Sequence, residues 1–180
     1  MKPCVVWITG LSGSGKTSLS DELVKLLTPE FKVKQIDGDS LRKERPNLGF
    51  SSMDRMSNAY HATHDALAFI QKAKGNVAIV SLISPYKQIR IDVRQMIEKY
   101  GEVPFVEVFM DTPLDICEQR DSKGLYKKAR NGEIKNFTGI DDPYEAPDAP
   151  DIWLPQKNPF YGQLTIDKCA KIVYNYINNL

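Results

Sequence analysis

A lysine and a threonine close the run "GLSGSGKT" (residues 10–17), whose spacing fits G-x-x-x-x-G-K-[ST]. Each residue type has a task in such a run. Gly10, Gly13 and Gly15 let backbone amides approach phosphate oxygens, Lys16 adds a point charge, and the Thr17 hydroxyl is a hard ligand for Mg²⁺. With Ser12, Ser14 and Ser18 they form a candidate site for the phosphates of ATP. An acidic cluster, "DGDS" (37–40), supplies Asp37 and Asp39. A carboxylate there can help hold Mg²⁺ or take the proton of an attacking hydroxyl, and which of the two does so is open. An ordinary Asp-Gly turn is the other reading.

Those groups need a scaffold, and the apolar pattern provides one. "CVVWIT" (4–9) has the length and composition of a buried strand, and it leads straight into the glycine run. Residues 16–27 show helical spacing at Leu19, Leu23, Leu26 and Leu27. Further strands are expected at 32–36, 76–83 and 105–110, with helices at 52–74, 87–100 and from about Asp167 to the end. Thr112 is the expected N-cap of a helix whose first residue is Pro113. Residues 131–161, with prolines at 143, 147, 150, 155 and 159, read as loop. Alternating strands and helices imply an α/β fold with a central, mostly parallel sheet covered on both faces. Ligands of such sheets bind beyond the carboxyl ends of the strands, where the glycine run, Asp37 and Asp39 all fall. Residues 76–83 end without a carboxylate, Ser81 standing in the region where an acid would hold the metal, so Asp37 and Asp39 are the replacements.

Two segments carry less decided signals. Helical spacing over 52–74 puts Met56, Tyr60, Thr63, Leu67 and Ile70 on a core-facing stripe, with Asp54, Arg55, Asn58, His61 and Asp65 opposite. Arg55 and Asn58, three apart, can reach one ligand or simply face solvent. Lys87 and Arg90 begin the helix after "SLISPY" and either contact an anion or form a basic surface turn. Neither His61 nor His64 has partners at metal-binding spacing.

Composition narrows the function classes. The chain has 180 residues, enough for one domain with a substantial core, and a net charge of +1 with no long run of one sign. A nucleic-acid arm is therefore not expected, nor is a membrane span or a signal peptide. Three widely spaced cysteines, Cys4, Cys117 and Cys169, read as buried thiols, in keeping with a cytoplasmic protein.

Taken together, "GLSGSGKTS", "DGDSLR", "LGFSSMDRMSN", "SLISPY", "VFMDTPLDICEQRD" and "KGLYKKARNGEIKNFTGIDDPYEAP" resemble the adenylylsulfate (APS) kinase family. The resemblance implies a single-domain P-loop fold over 1–180, similar to the nucleoside-monophosphate kinases, with three layers and a lid at approximately 121–150. It implies transfer of the γ-phosphoryl group of MgATP to the 3′-hydroxyl of adenosine 5′-phosphosulfate, giving PAPS. Under it, Lys16 and the loop amides hold ATP, Thr17 and Asp37 hold Mg²⁺, and Arg120 and Lys123 lie on the ATP side. Asp37 looks like the acid nearest the hydroxyl, with Asp39 beside it. Arg42, Arg55 and Asn58 look like contacts to the acceptor's sugar and anionic end, Phe50 and Phe137 like the rings that sandwich its base, and Ile83 and Ser84 like lining of the same pocket. Family members are often dimers. The sequence departs from the pattern where Tyr60 and His61 replace two arginines, where "RKERPNLGF" is a residue short, and after Pro150. A different acceptor with an anionic or amidate 5′ group, for instance cytidine diphosphoramidate, is the second reading, because stacking rings accept any base. A nucleotide-binding module without catalysis is the third.

Overall fold

The computed structural model describes residues 2–44, 49–72, 76–158 and 162–180. Its centre is a five-stranded sheet in the order β2-β3-β1-β4-β5, every neighbouring pair parallel. β1 (Cys4–Thr9), β2 (Lys32–Asp37), β3 (Asn76–Ser81) and β4 (Phe105–Asp111) fall where the apolar runs place them. β1 and β3 are buried along their whole length, as unbroken apolar runs in a parallel sheet must be.

Alternate residues of each strand feed opposite layers. Cys4, Val6 and Ile8 pack with Leu19, Leu23 and Leu27 of α1 (Lys16–Leu27) and with Val173 and Ile177 of the C-terminal helix (Ile166–Asn178). Val5 and Trp7 face the other way, onto Ala59, Ala62 and Ala66 of the helix Ser52–Ile70 and Ile89 and Val93 of the helix Lys87–Met96. Between β2 and the 52–70 helix lies the short helix α2 (Gly38–Glu44), so the remaining helices in chain order are α3 (Ser52–Ile70), α4 (Lys87–Met96), α5 (Leu114–Arg120), α6 (Leu125–Arg130) and α7 (Ile166–Asn178). A π-helical turn, Ile97–Gly101, extends α4. Among the described residues no helix is long and apolar enough to cross a membrane, and all three cysteines are free and buried.

Three expectations need correcting. Residues 152–155, "IWLP", are not loop but the fifth strand, β5 (Ile152–Pro155), paired to β4 on one side. Pro155 reads as a breaker, yet an edge strand tolerates a residue that cannot donate to the ladder. A short antiparallel pair, Lys157–Asn158 with Gly162–Gln163, follows it. Thr112 does not cap α5: Pro113 holds the N-cap position, and Thr112 Oγ1 donates instead to the Ser14 carbonyl at 3.0 Å. Finally, the buried stripe of α3 runs through Arg55, Asn58, Ala59, Ala62, Thr63, Ala66 and Ile70, whereas Met56 is exposed. The helix starts in a capping box in which Ser51 Oγ accepts from the Asp54 amide at 3.2 Å and Asp54 Oδ2 from the Ser51 amide at 3.1 Å. That start sets the phase, and the phase turns Arg55 and Asn58 inward.

Candidate active site

The phosphate loop joins β1 to α1 and needs its glycines for definite reasons. Gly10 has φ +149°, and a Cβ there would sit 2.6 Å from the carbonyl oxygen of Met110 on β4. Gly15, at φ +104°, turns the chain into α1 and leaves its N-terminus without a side-chain cap. Lys16 Nζ donates to the carbonyls of Leu11 and Gly10 at 2.7 and 3.0 Å. Burial lowers its pKa from the usual 10.5 to about 8, against the opposing pull of nearby acidic groups. The loop is braced from outside: Tyr126 Oη donates to the Ser12 carbonyl at 2.9 Å and Arg120 to the Gly13 carbonyl at 3.1 Å.

A pH dependence follows from the Lys16 environment. A bound triphosphate favours the ammonium form, so at pH near 9 the free protein must take up close to a full proton on binding nucleotide, and near pH 6.5 almost none. Titration calorimetry in buffers of different ionisation enthalpy should show this uptake, with nucleotide affinity falling as pH rises above about 8. Equal proton uptake at both pH values would contradict it.

At the carboxyl end of β2, Asp37 Oδ2 accepts from Thr17 Oγ1 at 3.0 Å and Oδ1 from the Asp39 amide at 2.9 Å. Asp37 is in register with Ser81 of β3, whose Oγ is buried and makes no hydrogen bond. The neighbouring Asn58 Oδ1 is likewise buried and unbonded. Two orphaned buried oxygens beside a carboxylate mark a surface built to meet a polar group. The Asp39 carboxylate forms an ion pair with Lys123.

Beyond Asp37 the cleft turns cationic. Arg42 lies over the Phe50 ring, its guanidinium carbon 4.7 Å from the centroid. Arg55, 5% exposed, donates to the carbonyls of Phe50 and Asn136 at 3.0 and 2.6 Å, with Asp142 3.7 Å away. These bonds hold the Phe50 and Phe137 segments together, and the two rings face each other at 6.2 Å and 58°. Phe137 also packs edge-on against Tyr126 at 5.0 Å.

The loop from Ser12 to Ser18, Asp37, Asp39, Arg42, Arg55 and Asn58 border one cleft of about 810 Å³. The family model for adenylylsulphate kinase matches residues 2–155, which supply most of the cleft lining. The chain belongs to the adenylylsulphate kinase family. It is 43% identical to the adenylyl-sulfate kinase of Saccharomyces bayanus over 178 residues, 98% of this chain and 84% of that one. With the probable adenylyl-sulfate kinase of Bacillus subtilis it shares 46% identity over 155 residues, 85% of this chain and 76% of the relative. The Mycobacterium tuberculosis APS kinase CysC, solved in complex with AMPPNP and APS, superposes with a TM-score of 0.88 at 40% identity, covering 98% of each chain.

Within this adenylylsulphate kinase fold, every residue that the sequence assigns to the nucleotide and acceptor sites lines the cleft except Gly10, Phe50 and Phe137. Gly10 lies behind the loop against β4, and Phe137 is buried in a cluster with Cys117, Tyr126 and Ala129, the Phe50 ring 6.2 Å from it. Sequence reasoning missed the apolar end of the cleft, where Met110, Leu154, Pro155, Leu164, Ile166 and Cys169 come together. Leu154 and Pro155 belong to β5 and Ile166 and Cys169 to α7, so finding them required the fifth strand. Gln156 was also missed; it accepts from Arg120 at 3.2 Å.

Two family departures can now be placed. Tyr60 Oη donates to Asp92 on α4 at 3.2 Å, and His61 is exposed, so neither residue lines the cleft. The shortened segment falls largely on residues 45–48, outside the described residues.

Proposed function

We propose that the protein phosphorylates the 3′-hydroxyl of adenosine 5′-phosphosulfate with ATP, giving PAPS and ADP. The observation that carries this reading is the single cleft in which Lys16 and the Thr17–Asp37 pair stand beside Arg42, Arg55 and Asn58. A phosphoryl donor and an anionic acceptor can thus meet at Asp37.

The loop amides and Lys16 hold the β- and γ-phosphates, and the apolar end by Leu154 and Ile166 takes the donor base. Thr17 Oγ1 and Asp37 Oδ2, 3.0 Å apart, are hard oxygen donors of the kind Mg²⁺ prefers, and they are the residues that would hold it. When bound, the ion neutralises charge on the phosphate oxygens. Asp37 orients the 3′-hydroxyl and receives its proton as the oxygen attacks the γ-phosphorus and the bond to ADP breaks. Lys16 stabilises the charge that accumulates on the transferred group. Arg42 and Arg55 present the planar donors suited to a phosphosulfate. Phe50 and Phe137 stack on the acceptor base.

The positions of Tyr60 and His61 favour this acceptor over cytidine diphosphoramidate, since those substitutions leave the cleft lining unaltered. The test supplies MgATP with APS, with cytidine diphosphoramidate, or with neither, and follows ADP and the phosphorylated nucleotide. The expected result is turnover with APS at least about 100-fold more efficient than with the cytidine compound, a lower bound beneath the roughly 10⁴-fold by which a site hydrogen-bonded to one substrate rejects an analogue lacking the bonded group. Preference for the cytidine compound, or ADP without a phosphorylated acceptor, would replace the proposal.

A further inference from the structure

Arg90 is neither the anion contact nor the basic surface turn that the sequence suggests. It is 4% exposed, it lies outside the cleft lining, and all its guanidinium nitrogens are occupied. Nη1 donates to the Ser84 carbonyl at 2.6 Å, Nη2 donates to the Glu145 carbonyl at 2.6 Å, and Nε lies 2.9 Å from Glu107 Oε1. The last is a close ion pair rather than an aligned hydrogen bond. Glu107 is a β4 residue in register with Trp7 of β1, so the anchor of this array is the rigid middle of the sheet.

What Arg90 holds is the wall on the acceptor side of the cleft. Ser84 lines that wall with φ +44°, a left-handed conformation that a residue with a Cβ keeps only when its surroundings impose it. Two buried donors impose it here: Arg90 on the carbonyl and Trp7 Nε1 on Oγ at 3.0 Å. The second arm secures the strap formed by residues 142–145. Glu145 offers its carbonyl to Arg90 while its amide donates to the Pro85 carbonyl at 2.8 Å, closing the strap against the wall. From there Tyr86 Oη donates to Asp142 Oδ1 at 2.8 Å, and Asp142 Oδ2 faces Arg55.

We infer that Arg90, fixed by Glu107, is a positioning residue for the acceptor half of the cleft, setting the Ser84 wall and, through Glu145 and Asp142, the place of Arg55. The inference rests on the reading of the protein as an adenylylsulfate kinase. The donor half is held by other means: Lys16 by the loop carbonyls, and Arg120 by Gly13 and Gln156. Disturbing Arg90 should therefore divide the two substrates. Lysine keeps the charge but cannot reproduce a fork aimed at several partners.

The experiment is steady-state kinetics with APS and MgATP each varied at saturating levels of the other, alongside thermal melting. In Arg90→Lys the KM for APS should rise about tenfold or more, the effect expected from losing a buried charge-assisted hydrogen bond, while the KM for ATP stays within about twofold. Glu107→Gln should move the APS KM in the same direction by less, since Arg94 keeps its partner Asp151 at 2.6 Å. If Arg90→Lys does not fold, the pair Arg90→Met with Glu107→Met removes both buried charges together and leaves neither unpaired. It should show the same selective rise. Parallel changes in both KM values, or a lowered melting temperature with both KM values unchanged, would overturn the inference and leave the function standing. Absence of APS turnover by the unaltered protein would instead overturn the function, and the inference with it.

Discussion

Lys16→Met is expected to lose about 10²-fold or more in kcat while melting at a higher temperature than the unaltered protein. The loss follows if, as proposed, Lys16 supplies a preorganised charge to the transferring phosphoryl group. The gain follows from the same burial that lowers the Lys16 pKa to about 8. A lysine whose folded pKa lies below its unfolded value penalises the folded state wherever it is charged. Below pH 8 the full penalty applies, and it is relieved as pH rises from about 8 to 10.5, because the unfolded chain then holds the proton longer. The displacement corresponds to about 3 kcal/mol, so replacement by an isosteric neutral chain should raise the melting temperature by several degrees at neutral pH. Stability and activity are thus set against each other at one side chain. Kinetics and calorimetry on the same preparation check both halves; a variant that is less stable and still inactive would mean that the bonds to Gly10 and Leu11 outweigh the burial.

Asp37→Asn should cost about 10²- to 10⁴-fold in kcat, the range for losing a positioned general base, with the KM for ATP changed much less. The substitution is close to isosteric. The carbonyl of the introduced amide can still accept from the Asp39 amide, so the turn at the end of β2 should survive, and only the charge facing Thr17 and the acceptor is lost. Asp39→Asn makes the comparison informative. Asp39 is exposed and already paired with Lys123, which suits an ion pair between two cleft segments better than a proton acceptor. Its replacement should cost less than about tenfold, as removal of an exposed ion pair does. Comparable losses in the two variants would assign Asp39 a share of the chemistry.

How much could be read in advance depended on what each residue packs against. The glycine run, β1 and α1 were legible because one motif fixes a strand, a loop and a helix together, and Asp37 was legible because it ends a strand. Arg55 and Asn58 were legible as a pair but not as buried residues. Periodicity weighs apolar side chains, and the inward face of α3 is made of small alanines and of polar groups turned to the cleft, while Met53 and Met56 are exposed. Arg90 posed the same difficulty in sharper form. A cation in the first turn of an amphipathic helix reads as surface unless its carboxylate partner is known, and Glu107 arrives from a different strand. β5 escaped because four residues next to prolines carry almost no periodic signal, and with it went the apolar end of the cleft. That Phe50 and Phe137 are neighbours was suggested only by family resemblance, since two aromatics far apart in sequence have no pattern of their own.

The bond between Trp7 and Ser84 gives the protein its own optical probe. The chain has two tryptophans; Trp7 is fully buried with its indole nitrogen on the cleft wall, and Trp153 is 56% exposed on β5. With Trp153 changed to phenylalanine, the remaining fluorescence would come from an indole whose hydrogen bond ends on Ser84 of the cleft wall. Its emission would then report the state of that wall in real time, without a label, while either nucleotide enters or leaves.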